Sequence, residues 1–415
     1  MNMHHLLTSS RLLPFLILVL STSTPGCASI SSSLHAHGTI AEQTMTARVD
    51  HPVAQDYLEG RPLPAELEEL RRVHIAEGKL PSASVLTHLT ARYSTDVATL
   101  FFLETVGADD ESTAIQREYA SVVERLMQTD EDPQLDAASS RLTVVFAPGW
   151  FYKTYGAKTG ADFQRQLAQL AKTGVPAELI ETDENGTVEA NAEIIAESMR
   201  RLRRQGREVL IVSGSKSGAE VAIALGDILP PEETTHVLAW LSIGGVHQGS
   251  PFADWALNPT VCWFSQLNLG VQGFDLEGAL SLQTSRRRPH FARLRFPDHL
   301  LLVSYVPVPL SSGISDQGAF GYSRMRDLGP NDGLTMLVDQ LLPGGLTIVE
   351  PGVDHYFVHP NRELRSLALM EVLVKRIGAT SSVSSGTLPV AEGAAHASLS
   401  PERGDRASRE DRHDR

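Results

Sequence analysis

Cysteine is scarce in this sequence. Of its 415 residues, only Cys27 and Cys262 are cysteine. Two cysteines are too few for the disulfide framework that holds many small secreted domains together. No group of His, Cys and Asp residues has the spacing of metal ligands either. We therefore expect no disulfide framework, no metal ion and no organic cofactor.

Positively charged residues are fewer than negatively charged ones. The sequence has 50 acidic residues against 36 Lys and Arg residues, which gives a formal net charge of −14. An acidic surface repels the phosphate backbone of DNA and RNA. We therefore do not expect a nucleic acid among the partners of this protein.

The apolar run at the N-terminus is too short for a membrane span. It covers residues 12–20, whereas a helix needs about 20 apolar residues to cross a bilayer core of about 30 Å. Arg11 precedes the run, and small residues follow it. A short positive region, a short apolar run and small residues are typical of a secretory signal peptide. The pattern predicts export, with residues 1–27 as the signal peptide.

The end of this signal peptide contains Cys27 in the sequence PGC. PGC resembles the lipobox of bacterial lipoproteins, in which the cysteine is lipidated, although Thr24 stands where that family prefers leucine. Lipidation of Cys27 would anchor the protein to a membrane of the bacterial cell envelope. Ordinary cleavage after Ala28 is the alternative and would give a periplasmic or secreted protein.

Changes in composition divide the rest of the chain. Residues 28–50 are rich in Ser, Thr and Ala and are predicted to be a flexible tether, and residues 51–139 have helical spacing. In residues 140–379, apolar runs typical of buried strands alternate with amphipathic helices, which predicts a mostly parallel sheet covered by helices on both faces. Residues 250–297 separate two of these strands and are predicted to be a cap insertion. Residues 380–415 have little to bury and are predicted to be disordered.

A cluster of serines lies at one predicted strand end, in the sequence EVLIVSGSKSGAEVAIAL. A serine nucleophile often stands on a tight strand-to-helix turn between small residues, in the pattern small-x-Ser-x-small. Ser215 fits this pattern, with Ser213 and Ser217 as the flanking small residues. Ser217 also fits but would lie inside the first turn of the helix. A third interpretation is that these serines only cap the helix.

A serine nucleophile requires a histidine base and a carboxylate that orients the base. Asp332, in GPNDG, and His355, in GVDHYF, follow the serine in the expected order and lie near predicted strand ends. Asp332 could instead belong to a turn, and His355 could be a packed loop residue. His359 and His247 are rival bases. Asp354 is a less suitable carboxylate, because adjacent side chains rarely face each other.

Two backbone N–H groups are needed to stabilise the oxyanion that forms during acyl transfer. The residue after the nucleophile, Lys216, is predicted to supply one, and its side chain is expected to face solvent. Trp150, in the loop sequence APGWFYKTYG, is predicted to supply the other. The alternatives for this loop are a simple Pro-Gly turn or the wall of an apolar acyl pocket.

These motifs resemble those of α/β-hydrolases of the lipase and esterase kind, over residues 140–379. The resemblance is carried by APGW, SGSKSG, GGVHQGSPFAD, GPNDG and GVDHYF. Among these, GGVHQGSPFAD is similar to the PHRGSP-AD segment of many bacterial lipases. The sequence departs from the family at Pro148, where lipases often have histidine, and at Ser213 and Ser217, where glycines are usual.

The resemblance implies an α/β-hydrolase fold with a helical N-terminal extension and a cap insertion. It implies an ester hydrolase that acts on a small-molecule or lipid ester, with Ser215, Asp332 and His355 as catalytic residues and Trp150 and Lys216 as oxyanion donors. An acyltransferase or a thioesterase could use the same residues. A non-catalytic binding protein with this fold is a further alternative.

Overall fold

The structure is a computed structural model. The signal peptide predicted over residues 1–27, Cys27 and the last 30 residues of the predicted tail lie outside the part of the chain that it describes, as does the middle of the predicted cap insertion. The described residues are 34–129, 133, 135, 141–261, 276–359 and 361–385.

A parallel sheet of six strands forms the centre of the fold. Its strands are β3 (Leu142–Ala147), β4 (Ala177–Leu179), β5 (Glu208–Gly214), β6 (Val237–Ile243), β7 (Leu301–Val308) and β8 (Leu346–Pro351). They lie in the order β4-β3-β5-β6-β7-β8, and every neighbouring pair is parallel. The continuous apolar runs explain the burial of both faces, because successive side chains of a strand point to opposite sides of the sheet.

Helices cover both faces of this sheet. One face packs against α5 (Asp110–Gln128), α7 (Gln164–Thr173) and α15 (Arg362–Ser385). The other face packs against α8 (Val188–Arg204), α9 (Lys216–Ile223) and α13 (Thr284–Phe291). Within β3, Val144 and Phe146 belong to the first core, whereas Val145 and Ala147 belong to the second. The predicted three-layer arrangement is confirmed.

Residues before the sheet form a further layer of helices, as predicted. These are α1 (Pro52–Leu58), α2 (Ala65–Glu77), α3 (Ala83–Arg92) and α4 (Thr95–Val106). The layer shares a third hydrophobic core with the sheet, in which Phe101 and Phe102 lie with Val306, Val308 and Val349. The N-terminal helices are therefore built into the core of the protein.

The predicted tether was wrong for residues 34–49, which form an antiparallel hairpin of β1 (Leu34–Ile40) and β2 (Gln43–Val49). Its turn residues, Ala41 and Glu42, both have positive φ. Two-residue hairpin turns of this kind usually contain Asn or Gly. Ala and Glu are not typical of such a turn, so the sequence did not indicate the hairpin. The hairpin buries Ile40 and Val49 in the third core, which offsets the lack of turn chemistry.

Several shorter helices complete the described part of the chain. Short helices are α6 (Tyr152–Thr159), α10 (Pro231–Thr234), α11 (Pro251–Ala256), α12 (Glu277–Leu280) and α14 (Ala319–Met325). The predicted cap insertion contributes α11, α12 and α13. The closing helix α15 continues to Ser385, beyond residue 380 where the tail was predicted to begin. No helix within the described residues is both long and apolar enough to cross a membrane.

Candidate active site

Ser215 stands on the sharp turn between β5 and α9. Its backbone has φ 57° and ψ −120°, a conformation that residues other than glycine rarely adopt. The turn leaves no room for larger neighbours, since a Cβ on Gly218 would lie 2.8 Å from Gly245 Cα. A strained serine between a parallel strand and a helix is the geometry of a nucleophile elbow.

The other two serines of the cluster are engaged elsewhere. Ser217 Oγ is buried, accepts a hydrogen bond from Gly214 N at 2.9 Å and lies 2.7 Å from Ala147 O. Ser213 Oγ accepts from Trp240 Nε1 at 2.8 Å. Ser217 therefore ties the turn to the neighbouring strand β3, and Ser215 is the serine that the turn presents to the cavity.

Ser215, His355 and Asp332 lie in one line of hydrogen bonds. Ser215 Oγ is 2.9 Å from His355 Nε2, and His355 Nδ1 is 2.7 Å from Asp332 Oδ2. An ionised carboxylate can only accept, so Nδ1 carries the hydrogen and Nε2 is left to accept from the serine hydroxyl. The structure thus brings together the three residues that the sequence predicted as nucleophile, base and orienting acid.

The Asp332 carboxylate is fully buried and is held by several donors. Oδ1 accepts from the backbone N–H groups of Leu334 and Thr335, at 2.9 and 2.8 Å. Oδ2 accepts from Gln340 Nε2 at 2.9 Å as well as from His355. The sequence analysis missed Gln340, because an isolated glutamine eight positions after an aspartate belongs to no motif.

Two opposing effects act on the pKa of His355. Burial by itself lowers this pKa, but the charge and hydrogen bond of Asp332, with a smaller effect of Asp354, outweigh it. The pKa of His355 therefore lies above its ordinary value of 6.5. The histidine is a stronger base than a free imidazole, which suits it to take a proton from a hydroxyl.

The rival residues lie apart from this line. His247 is buried, its Nε2 lies 2.7 Å from Ser242 Oγ, and burial lowers its pKa to about 3. His359 Nδ1 accepts from Asn361 N at 3.1 Å. Asp354 accepts from the backbone N–H and the hydroxyl of Ser315. None of these contacts involves Ser215.

The two predicted oxyanion donors lie at adjacent strand ends. Ala147 of β3 pairs with Ser213 of β5, so the residues that follow each strand are neighbours. In the loop after β3, Gly149 N donates to Ala161 O and Phe151 N to Glu184 O. The amides of Trp150 and Lys216 have no hydrogen-bond partner within the described part of the chain. Both are available to an anion beside Ser215.

The side chain of Lys216 does not face solvent, so that expectation was wrong. It is only 3% exposed and forms an ion pair with Glu220, which is 1% exposed. Asn191 Nδ2, on α8, also donates to Glu220 Oε1 at 2.8 Å. The Lys216 side chain points inward because α8 packs over the start of α9. Glu220 lies one helical turn later on the same side of α9, so its carboxylate pairs with the buried cation.

Ser215 and His355 line a cavity of about 800 Å³. One side of it is apolar and includes Val246, Leu257 and Leu282 from the loop after β6 and the cap insertion. Trp150, stacked on Phe151 with ring centres 4.5 Å apart, belongs to the same lining. This volume is typical of sites for small organic molecules.

No protein-family model and no curated protein matches the sequence. Similar solved structures include a metagenomic carboxyl esterase, at 20% identity over 59% of this chain and 77% of that one, with a TM-score of 0.46. Another is the mature form of a lipase from Bacillus licheniformis, at 20% identity over 57% and 91% of the two chains, with a TM-score of 0.42. A third is the RedJ thioesterase of prodiginine biosynthesis from Streptomyces coelicolor, at 16% identity over 60% and 92%, with a TM-score of 0.31.

The strand order and the positions of the candidate residues define the fold. Its sheet has five consecutive parallel pairings with β3 placed between β4 and β5, and helices cover both faces. A strained serine follows the strand β5 directly, and an aspartate and a histidine follow β7 and β8. By this arrangement the chain has the α/β-hydrolase fold that its motifs predicted.

Proposed function

We propose that this protein is a serine hydrolase that cleaves carboxylic esters through an acyl-enzyme intermediate. The proposal is supported above all by the hydrogen-bonded line of Ser215, His355 and Asp332. This line ends on a strained turn at the wall of a largely apolar cavity. A buried serine with a purely structural role needs neither a histidine partner nor a place at the cavity wall, as Ser217 illustrates.

In the first step, Ser215 Oγ attacks the carbonyl carbon of the ester while His355 Nε2 takes the hydroxyl proton. The carbonyl oxygen becomes an oxyanion, which accepts hydrogen bonds from the amides of Trp150 and Lys216. His355 then gives its proton to the alcohol oxygen as the C–O bond breaks. The alcohol leaves, and the acyl group remains bonded to Ser215.

In the second step, water replaces the alcohol. His355 takes a proton from the water as its oxygen attacks the acyl carbon, and the same two amides hold the second oxyanion. The proton returns to Ser215 Oγ, and the carboxylic acid is released. Asp332 stays ionised throughout and stabilises the histidine while it is protonated.

The test is hydrolysis of p-nitrophenyl esters of graded acyl length by the purified protein and by Ser215→Ala. We expect release of p-nitrophenol by the parent and a loss of about 10³-fold or more in the variant. Ser213→Ala is the matched control, since that hydroxyl bonds to Trp240 away from the cavity. Equal rates for the parent and Ser215→Ala would refute the proposal.

The same assay includes thioesters and added alcohol acceptors, because the triad could serve an acyltransferase or a thioesterase. A product ester formed at the expense of the free acid would identify an acyltransferase. Preference for thioesters over matched oxygen esters would identify a thioesterase. The proposed ester hydrolase gives the free acid from oxygen esters whether or not an alcohol is present.

We also propose that the protein is exported and anchored through a lipid on Cys27, as the signal-peptide pattern and the sequence PGC predict. Cells that express the protein should incorporate labelled palmitate into it. The label should be lost in Cys27→Ala, and export should then continue only by simple cleavage. Label that persists in Cys27→Ala would contradict the anchor.

A further inference from the structure

The cavity beside Ser215 has a second side whose chemistry differs from the apolar one. This side lies between the end of α6, the start of α7 and the start of α15. Its lining includes Lys158, Arg165 and Arg362, which we call the basic arm. Such a group of cations is unexpected beside the active site of a chain whose net charge is −14.

Arg362 is the central residue of the basic arm. Its guanidinium is half-buried and makes no ion pair and no hydrogen bond with any described residue. It lies beside Gly160, where an added Cβ would be 3.5 Å from Arg362 Nη1. Burial and the neighbouring Arg165 lower the pKa of Arg362, and the charge of Glu363 opposes them only in part. A guanidinium that is partly desolvated and lacks a partner would gain from an anion in the cavity.

Two carboxylates near Arg362 are paired with other arginines. Arg165 pairs at 2.9 Å with Glu363, but both side chains are about half exposed, so the pairing is weak. Glu350 also lines the cavity, but it is already held by Arg365, at 2.7 Å, and by the hydroxyls of Tyr119 and Tyr305.

Two further carboxylates line the cavity. Asp162 accepts from the backbone of Gln164 at 3.3 Å, and Asp316 lies in the loop before α14. Neither carboxylate forms an ion pair with Arg362 or Lys158 within the described residues. The formal charges named here therefore balance, but Arg362 and Lys158 each lack a paired carboxylate within the described residues.

The basic arm and Ser215 line the same cavity. Arg362 lies near Gly160, and the next residue, Ala161, accepts a hydrogen bond from Gly149 N at 3.0 Å. Gly149 lies near the carbonyl of Gly214, the residue before Ser215. One substrate in this cavity can therefore meet both Ser215 and the arm.

We propose that the basic arm binds an anionic group of the substrate, so that the preferred substrate is an ester that carries a carboxylate or phosphate group. The inference rests on the proposed ester hydrolysis and specifies its substrate class. The apolar side of the cavity takes the hydrocarbon part, and Arg362 fixes the charged end. Charge-assisted hydrogen bonds to a guanidinium are strong enough to set such a preference.

The test compares p-nitrophenyl monoesters of dicarboxylic acids with p-nitrophenyl esters of monocarboxylic acids of the same chain length. We expect kcat/KM to be about tenfold higher for the anionic ester at the best length. Arg362→Gln should abolish this preference through KM, while the rate with neutral esters stays within about twofold. Arg362→Lys should keep most of it, because the charge remains.

Lys153→Gln provides the matched control. Lys153 is an exposed cation on α6, like Lys158, but it does not line the cavity. The control should keep the preference for anionic esters. A second set of esters carries the anion on the alcohol part, as a phosphate on the aryl ring. The set of esters for which the anion raises kcat/KM identifies the end of the substrate that contacts the basic arm.

A binding measurement separates this inference from the proposed function. In Ser215→Ala, calorimetry should show tighter binding of a dicarboxylic acid monomethyl ester than of the neutral dimethyl ester, and Arg362→Gln should remove the difference. Equal binding, or an anionic preference that survives Arg362→Gln, would overturn the basic arm. Binding without any ester hydrolysis by the parent would instead overturn the proposed function.

Discussion

His355 is the residue whose protonation controls the proposed reaction. It must be neutral to accept the proton of Ser215, and its pKa lies above 6.5 because Asp332 outweighs burial. We therefore expect kcat/KM to fall on the acid side with a midpoint above pH 6.5. In Asp332→Asn, only the smaller effect of Asp354 still opposes burial, so the midpoint should move to lower pH while the rate drops by about 10³- to 10⁴-fold.

The pH–rate profile of both proteins measures this midpoint, and an acid limb that does not move in Asp332→Asn would contradict the account.

The raised pKa of His355 also affects the stability of the folded protein. Because the folded pKa is raised, the His355–Asp332 pair contributes its full stabilisation below about pH 6.5. That contribution is lost as the pH rises through the folded pKa.

Gln340 is expected to act as a positioning residue through Asp332. Gln340→Leu removes one donor from Oδ2, which His355 also uses, while Oδ1 keeps both backbone donors. We expect kcat to fall about tenfold with little change in KM, as for one hydrogen bond to a charged group. The acid limb should move to higher pH, because the carboxylate then attracts the histidine more strongly. A loss of rate with an unmoved acid limb would indicate a merely structural role.

The helix α9 combines the proposed nucleophile turn with a buried ion pair. Lys216→Met would keep the backbone amide that the proposed oxyanion needs but leave Glu220 buried without its cation. Removing one partner of a buried pair costs about 3–5 kcal/mol. The free energy of unfolding by urea should fall by this amount, and Lys216→Met/Glu220→Leu should recover much of it. Equal stabilities of the parent and Lys216→Met would show that the pair contributes nothing.

Elements differ in how well the sequence predicted them. The buried strands were predictable because both faces of a parallel sheet demand continuous apolar runs, as in LTVVFA of β3. The hairpin of β1 and β2 was not, because its turn uses Ala41 and Glu42 and its strands expose many polar residues. Helix α6 lies in a predicted loop, where the Pro-Gly dipeptide indicated only a turn.

The candidate site shows the same division. Ser215, Asp332 and His355 could be predicted as a catalytic group from their order in the chain and their positions near predicted strand ends. The carboxyl ends of parallel strands meet at one edge of the sheet, so such residues come together there. The inward direction of Lys216 depends on where α8 packs, and the contact of Gln340 with Asp332 depends on the path of a loop. Such long-range arrangements leave no local pattern in a sequence.

At the scale of the whole molecule, Asp96 joins the N-terminal layer to the sheet. It accepts hydrogen bonds from Asp50 N and from the backbone N–H and hydroxyl of Ser311. Burial raises the pKa of Asp96 to about 7, the charge of Asp50 adds to this, and the hydrogen bonds from Ser311 oppose it. The folded protein thus holds a proton that the unfolded chain, with an ordinary pKa of 3.8, releases earlier.

Stability should therefore fall as the pH rises between these two pKa values and become level above about pH 7. Asp96→Asn cannot ionise, so its melting temperature relative to the parent should rise from about pH 5.5 to about pH 7.5. Thermal unfolding of both proteins at several pH values measures this difference. A difference that stays constant or falls over this range would contradict the raised pKa.

The most direct test of the central claim is covalent labelling by a fluorophosphonate probe, which reacts only with an activated serine. The parent should be labelled, and mass spectrometry should find the probe on Ser215. Ser217→Ala should still react, because its hydroxyl bonds to the backbone of β3, whereas Ser215→Ala should not. Labelling that survives Ser215→Ala, or a folded parent that resists the probe, would contradict the account of a serine hydrolase built on Ser215.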